Sequence, residues 1–403
     1  MRAMASRDYD LVLLGATGFT GALVAAYLAK RRPDMKWALV GRNREKLERV
    51  AAGLGAPVSV VVADALDPTA MADVARRTRV VCTTVGPYAK YGAEVVAACA
   101  AAGTHYCDLT GEVAFMRRMI DAHHATAQRT GARIVHTCGF DSIPSDLGTW
   151  AVQRAFAERF GGPASRVTAL FGETSGGFSG GTVASALEMA REAGADRALR
   201  KLLANPYALD PDPSARRPPA PDVRSISWNK ALGVFELPFV MADVNTRVVR
   251  RSHALAGLPW GDDFVYREVM STPGSPRGLG LAVGITAGMA GIAFALKRSA
   301  LREQLAKRAP KPGEGPSEAA RTRGHWRARF LAERGADRLV YVAGDRAGDP
   351  GYASTAKMLG ESALCLAFDV LDSPAGVTTP SVAMGSALLA RLRAAGLEFG
   401  EAD

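Results

Sequence analysis

Near its start the chain runs Tyr9-Asp10-Leu11-Val12-Leu13-Leu14, then Gly15-Ala16-Thr17-Gly18-Phe19-Thr20-Gly21, then an amphipathic stretch over 22–30. A short apolar run without alternation reads as a strand buried on both faces, as in a parallel sheet. When such a strand passes through a glycine-spaced turn directly into a helix, few folds remain. The glycines allow a tight turn and close backbone approach, and the helix start offers free N–H groups to a pyrophosphate. The spacing here is GxxGxxG rather than GxGxxG. Glycine turns also close ordinary strand–helix units, so the segments that follow must carry part of the argument.

They do so by repeating the pattern. A second strand, 36–40, ends in Gly41-Arg42-Asn43-Arg44, where a site for NAD would place an acidic residue on the ribose hydroxyls. The basic Arg42 instead suits a 2′-phosphate, which points to NADP(H). A third strand, 58–62, leads to Asp64, placed either near an adenine edge or as a cap of the next helix. The fourth, 80–85, ends Thr83-Thr84-Val85-Gly86-Pro87-Tyr88. Helices are expected over 93–102 and 113–130, and a further strand over 133–137. This alternation predicts an α/β fold, a Rossmann-like doubly wound parallel sheet with ligands at the carboxyl ends of its strands.

Beyond residue 149 the character changes. Segments 167–171, 234–241, 246–250 and 263–269 read as strands, and 326–333 with 339–342 as a hairpin, which predicts a second α+β domain. The expected division is 1–148 for cofactor binding and 149–375 for substrate and oligomerisation, with 376–398 returning to the first domain as a helix opened by Thr379-Pro380. Gly176-Gly177-Phe178-Ser179-Gly180-Gly181-Thr182 lacks the Lys-Ser/Thr pair of a phosphate loop and reads as a substrate-side turn. Residues 278–296 are uncharged, with Arg277 before them and Lys297, Arg298, Arg302, Lys307 and Arg308 after. Such a segment is either a membrane-surface helix or an ordinary buried one, and its glycines and alanines argue against a full span.

Composition narrows the partners. A formal charge of +10 without a basic run interleaved with aromatics argues against nucleic acid and fits an acidic protein or anionic surface. Five cysteines without metal-ligand or CxxC spacing indicate a reducing, cytoplasmic setting, with contact at the inner face of a membrane open, and no metal site is expected.

The GATGFTG turn, VGRN, TTVGPY, CDLTGE and HTCGFDSIPSD together resemble the saccharopine dehydrogenase-like oxidoreductases. GGFSGGT, the DPGY of 349–352 and the TTP of 378–380 resemble the trans-acting enoyl reductase branch of that family. The resemblance implies an NADPH-dependent reductase of α,β-unsaturated acyl thioesters from polyketide or lipid pathways. The cofactor residues it carries over are Gly15, Gly18, Gly21, Arg42 and Gly86, and Thr17, Phe19 and Asp64 are further cofactor candidates. Candidate catalytic residues at strand ends are Tyr88, His136, Asp141 and Ser142, with Tyr88 the first choice for hydrogen bonding a developing oxyanion. Amino-acid-processing members carry a GLDPGIDH-like stretch where this chain has residues 139–146, and only the Gly and first Asp match. A less polar substrate fits better, presented by an acyl carrier protein or polyketide synthase, and a homodimer is open. Reduction of a carbonyl or imine is the alternative chemistry, and an NADP(H)-binding sensor or membrane scaffold the alternative class.

Overall fold

Six short segments in the first 135 residues form the strands β1 (Tyr9–Leu14), β2 (Trp37–Gly41), β3 (Ser59–Val62), β4 (Thr78–Thr83), β5 (His105–Cys107) and β6 (Arg133–Val135). In this computed structural model, which describes residues 7–174, 191, 196–308 and 315–402, they lie parallel in the order β6-β5-β4-β1-β2-β3. The chain reverses its winding between β1 and β4, the position at which open parallel sheets bind ligands. The intervening helices are α1 (Phe19–Arg31), α2 (Arg44–Ala52), α3 (Pro68–Arg77), the short α4 (Tyr88–Tyr91), α5 (Ala93–Ala102) and α6 (Val113–Thr130). A seventh parallel strand arrives from far along the chain: β13 (Gly376–Thr378) pairs with β6.

The long α7 (Ile143–Phe160) leads to a second, mixed seven-stranded sheet. Its members are β7 (Arg166–Thr174), β8 (Ser227–Asn229), β9 (Val234–Leu237), β10 (Val265–Pro273), β11 (Trp326–Arg334), β12 (Asp337–Asp345) and β14 (Glu398–Glu401). The order is β14-β12-β11-β7-β10-β9-β8. Its helices are α8 (Arg197–Ala204), α9 (Ala242–Leu255), α10 (Pro276–Leu296), α11 (Ser299–Arg308) and α12 (Glu318–Thr322). A single π-helical turn, Pro350–Ser354, then opens α13 (Thr355–Phe368), and α14 (Pro380–Ala394) follows β13. The return to the first sheet is therefore split: β13 joins it, α14 packs on α7, α13 and β6, and β14 closes the edge of the second sheet.

One continuous apolar core spans both sheets, because α7, α13 and α14 lie between them. Leu11, Leu13 and Val80 of the first sheet belong to the same buried cluster as Phe171 and Phe330 of the second. At Gly148, on α7, a Cβ would sit 2.4 Å from the Phe330 ring, so the helix and sheet meet at backbone distance. The clamp joining α1, α13 and α14 is ionic. Fully buried Glu361 accepts hydrogen bonds from Tyr27 Oη (2.6 Å), Arg31 Nε (2.7 Å) and Arg391 Nη1 (3.2 Å). Arg391 keeps its bidentate pair with Asp369 and Arg31 is partly exposed, so Glu361→Ala, which removes the shared hydrogen-bond acceptor and leaves a small cavity, is expected to lower unfolding stability by about 2 kcal/mol, read as a lower urea midpoint.

Two sequence expectations fail in the second half. Residues 246–250 lie inside α9, not in a strand: Val244 and Val248, four apart, share one buried face, and the run of Thr and Val imitates a β pattern. The run 234–241 is a strand only to Leu237. The expected substrate-side turn at 176–182 lies outside the described residues.

Candidate active site

The carboxyl edge of the first sheet is built around Gly15 and Gly21. Gly15 has φ +96°, and a Cβ there would lie 2.8 Å from both Thr84 Oγ1 and Val85 Cγ2. A Cβ at Gly21 would lie 2.1 Å from the Gly15 carbonyl oxygen. The turn is thus packed on the end of β4, and Thr84 N–H fixes that end by donating to Leu14 O (3.0 Å). Gly18 begins α1 without any side-chain cap, and Thr17 and Gly18 are exposed. An uncapped helix start behind a turn too tight for side chains fits a dinucleotide pyrophosphate.

Arg42 stands exposed at the end of β2, and among the described residues no ion pair holds it. Its neighbours are engaged: Asn43 caps α2 through Lys46 N–H (2.9 Å), and Arg44 pairs with Glu48 (3.4 Å). Of Arg42, Asn43 and Arg44, only the Arg42 side chain has no such partner among the described residues. Arg42→Ala is expected to weaken NADPH binding about 10- to 100-fold while leaving NADH nearly unchanged, as measured by fluorescence titration with both nucleotides. Asp64 is partly exposed, and its Oδ1 accepts Leu66 N–H (3.0 Å), so it shapes the turn after β3. Gly86 lies exposed beyond β4. The ring of Phe19 is edge-on to Tyr352 (5.0 Å) with the Arg321 guanidinium over it (5.2 Å). Phe19 therefore binds the π-helical turn to α1, with its ring committed to that packing.

The catalytic candidates separate. Tyr88 is buried, donating its hydroxyl to Thr83 O (3.2 Å) and accepting Leu109 N–H (3.2 Å). Burial, with Asp108 nearby, raises its pKa well above the phenol range. Its hydroxyl ties the ends of β4 and β5 together, and the expected oxyanion role falls, because a turn after a strand does not say which way the ring goes. His136 is buried as well. Its Nδ1 is 2.7 Å from Asp108 Oδ2, while its ring stands edge-on to Tyr106 and Phe115. The ring borders a cavity of only about 10 Å³, lined also by Leu209, Val248 and Arg251, too small for an acyl chain. Ser142 donates to Asn245 Oδ1 (2.9 Å), Asn245 Nδ2 donates to Glu268 Oε1 (2.6 Å), and Tyr266 Oη donates to Glu268 Oε2 (2.7 Å). That buried chain ties α7 to α9 and β10.

Asp141 differs from the other three. It is partly exposed at the end of the loop after β6, and its carboxyl has no hydrogen-bond partner among the described residues. Burial and the negative charge of Asp108 raise its pKa to about 7. Beside it, the Phe140 ring meets Trp326 (5.1 Å) and Phe171 (5.9 Å) edge-on, and Phe171 stacks on Phe239 (4.7 Å). A proton-bearing carboxyl next to an aromatic wall suits general-acid work on an apolar substrate.

Asp108 was missing from the sequence-derived site. Its carboxylate accepts from Tyr106 Oη (2.8 Å), Thr110 N (3.0 Å) and Thr137 N (3.0 Å) besides meeting His136, and it anchors the loop that carries Asp141. Its signal was present, an acidic residue closing a strand within CDLTGE. Glu268 and Asp146, raised by burial to about 7 and about 6, left no comparable trace. Among the described residues no group of three or more His, Cys, Asp or Glu side chains is placed to hold a metal ion.

Residues 11–135 match the family described as the saccharopine dehydrogenase NADP binding domain. Over 98% of its length the chain is 44% identical to a Mycobacterium tuberculosis protein whose name places it among the trans-acting enoyl reductases, covering 97% of that relative. With the trans-acting enoyl reductase of Mycobacterium ulcerans it shares 41% identity over the same fractions. Saccharopine dehydrogenase (L-Glu forming) from Saccharomyces cerevisiae superposes with a TM-score of 0.55, over 97% of this chain and 99% of that one, at 12% identity, a likeness of fold alone.

Proposed function

Because the chain belongs to the trans-acting enoyl reductase family, with an NADP-binding domain of the saccharopine dehydrogenase type, we propose that it reduces the C=C bond of an α,β-unsaturated acyl thioester at the expense of NADPH. The observation that carries the reading is the relationship along the whole chain, joined to an open glycine turn with a free Arg42 at the end of β2. NADPH, when bound, supplies a hydride for the β-carbon of the acyl group.

The protein's own part is binding and proton supply. The start of α1 and Arg42 hold the two phosphate regions of the nucleotide. Asp141, raised to about 7 by burial and by Asp108 and so in part protonated at neutral pH, gives its proton to the α-carbon as the β-carbon is reduced, and regains one from water. The double bond thus gains one hydride and one proton, and Asp141 ends the step as a carboxylate. The partly exposed Phe140 and Phe239, backed by the buried Phe171, supply apolar surface for the chain beside the reacting carbons.

The relatives' names describe them as trans-acting, and on that basis the unsaturated chain is presented by a separate acyl carrier or polyketide synthase. A formal charge of +10 favours encounter with an acidic carrier. The test is NADPH oxidation with trans-2-enoyl thioesters, free and carrier-linked, with keto and imine substrates alongside. Turnover of enoyl substrates, faster when carrier-linked, bears the proposal out. Turnover confined to keto or imine substrates overturns it in favour of C=O or C=N reduction, and NADPH binding with no turnover of any class leaves a binding protein.

A further inference from the structure

Helix α10 is 21 residues long, and only Gly278 and Ala282 in it are buried. Between Arg277 and Lys297 it carries no charged residue, and its mean hydropathy is 2.0. At 1.5 Å per residue it extends roughly 30 Å. Its root is fixed. Ser275 caps it through Gly278 N–H (3.1 Å), Thr272 Oγ1 donates to Gly278 O (2.8 Å), and a Cβ at Gly278 would lie 1.9 Å from Pro273 O.

What could cover such a helix is decided by how its exposed side chains are distributed. Leu279, Val283 and Phe294 are 41%, 52% and 54% exposed, and Leu281 and Ile292 are 54% and 56%. At about 100° per residue the first three fall within about 60° of one another, and the last two lie on roughly the opposite side. The partly covered positions 285, 286 and 289 share the remaining face with Gly278 and Ala282, toward the sheet. A protein partner with one contact face would cover one of the two exposed groups and leave the other in water. A helix apolar nearly all round needs a surrounding apolar medium.

Two further observations identify that medium. Trp228, 50% exposed, lies over the root of the helix: a Cβ at Gly274 would lie 2.6 Å from its ring. Tryptophan is the residue favoured at the level of lipid headgroups. Cations predominate at the helix ends, Arg277 at one and Lys297, Arg298 and Arg302 against the lone Glu303 at the other, and Arg298 folds its guanidinium over the Phe294 ring (4.4 Å). Long cationic side chains with apolar stems placed this way suit anionic headgroups.

We propose that α10 embeds in one leaflet of an anionic bilayer, with Trp228 and the terminal cations at the headgroups. It does not cross. The following α11 contains Arg302 and Glu303, and Gly315, only seven residues beyond α11, is back against Phe19 at the start of α1, so a crossing would draw charged residues through hydrocarbon. This inference is independent of the reaction proposed above, although a lipid-embedded helix suits an acyl substrate.

The test is flotation of the full chain with phosphatidylcholine vesicles with or without about 30% phosphatidylglycerol, together with quenching of tryptophan fluorescence by bromine-labelled lipid in wild type and Trp228→Phe. Val283→Glu and Ile292→Glu place a charge on opposite sides of the helix. The expected result is flotation with the anionic vesicles, weakened about tenfold or more by each substitution alone, with quenching lost in Trp228→Phe and NADPH binding retained throughout. Failure of the wild type to float with anionic vesicles overturns the proposal. So does sensitivity to one substitution only, or a wild-type dimer in light scattering that either substitution dissolves while flotation persists; these outcomes assign the helix to a protein contact.

Discussion

Gly21→Ala is expected to weaken NADP(H) binding about a hundredfold or more. The new Cβ would lie 2.1 Å from the Gly15 carbonyl oxygen and 2.7 Å from Thr84 Oγ1. Neither neighbour can yield cheaply. The Gly15 carbonyl accepts Gly18 N–H (3.0 Å), Gly15 N–H donates to Val40 O (3.2 Å), and Gly15 already occupies a left-handed conformation closed to other residues. Relief must come by moving the first turn of α1 away from β1 and β4, which misaligns the N–H groups meant for the pyrophosphate. Gly18→Ala is the control: φ there is −81°, and its Cβ would lie 3.4 Å from the Gly15 oxygen, so a loss below about tenfold is expected. Both are read by fluorescence titration of NADPH, with thermal melts to confirm folding. Wild-type affinity in Gly21→Ala would remove the turn from the cofactor site.

The second large effect is on turnover. Asp141→Asn is expected to lower kcat about 10²- to 10⁴-fold with NADPH affinity kept, since an amide occupies the same space but has no proton to give. The pH dependence has a definite sign. The carboxyl is active when protonated, and burial with Asp108 puts its pKa at about 7, so the wild-type rate falls as pH rises through about 7. That limb should vanish in the variant. The linked stability runs the same way. A carboxyl whose pKa is higher folded than unfolded favours the folded state fully at low pH, and this contribution is lost between the ordinary carboxyl range and about 7 as the buried group is forced to ionise. Asp141→Asn should therefore unfold at equal or higher temperature than wild type at pH 8, which separates loss of the proton from loss of the fold. An unchanged kcat, or an unchanged alkaline limb, assigns the proton to another group.

How far residues alone reveal such a molecule depends on how local each determinant is. The parallel strands β1, β2 and β4 are legible because their apolar residues are buried on both faces, β3 and β6 also lie near where they are expected, and the three-residue β5, His105–Cys107, does not read as a strand. The sixth helix, expected over 113–130, spans Val113–Thr130, with its amphipathic pattern intact and Gly131 in the left-handed conformation ending it. The glycine turn and Arg42 lie within about thirty residues, and their roles follow from backbone geometry and charge. The second sheet is less readable, and α9 passes for a strand because Thr246, Val248 and Val249 are common to both patterns. Side-chain partnerships were not legible at all. Asp108 and His136 are separated by 28 residues, and Ser142 and Asn245 by 103, so only folding shows that these polar groups satisfy one another, while Asp141 is left without a partner. Tyr88 and Asp141 look equally plausible at the ends of adjacent loops, and burial separates them.

The placement of α13 has a consequence for synthesis. This helix packs on β1, β4, β5 and α1, yet it is encoded some two hundred residues after the last of the first six strands. A nascent chain emerging from the ribosome would hold six strands with one apolar face covered only in part, by α1 and α2, while the whole second sheet is still being made. Release of a chain truncated after residue 148 would leave Leu11, Leu13 and Cys82 without the part of their covering layer that α13 supplies, a species prone to aggregate. The N-terminal lobe is thus early in order of translation and late in order of completion. Fragments meant to bind the nucleotide alone would have to carry residues 355–378 with them.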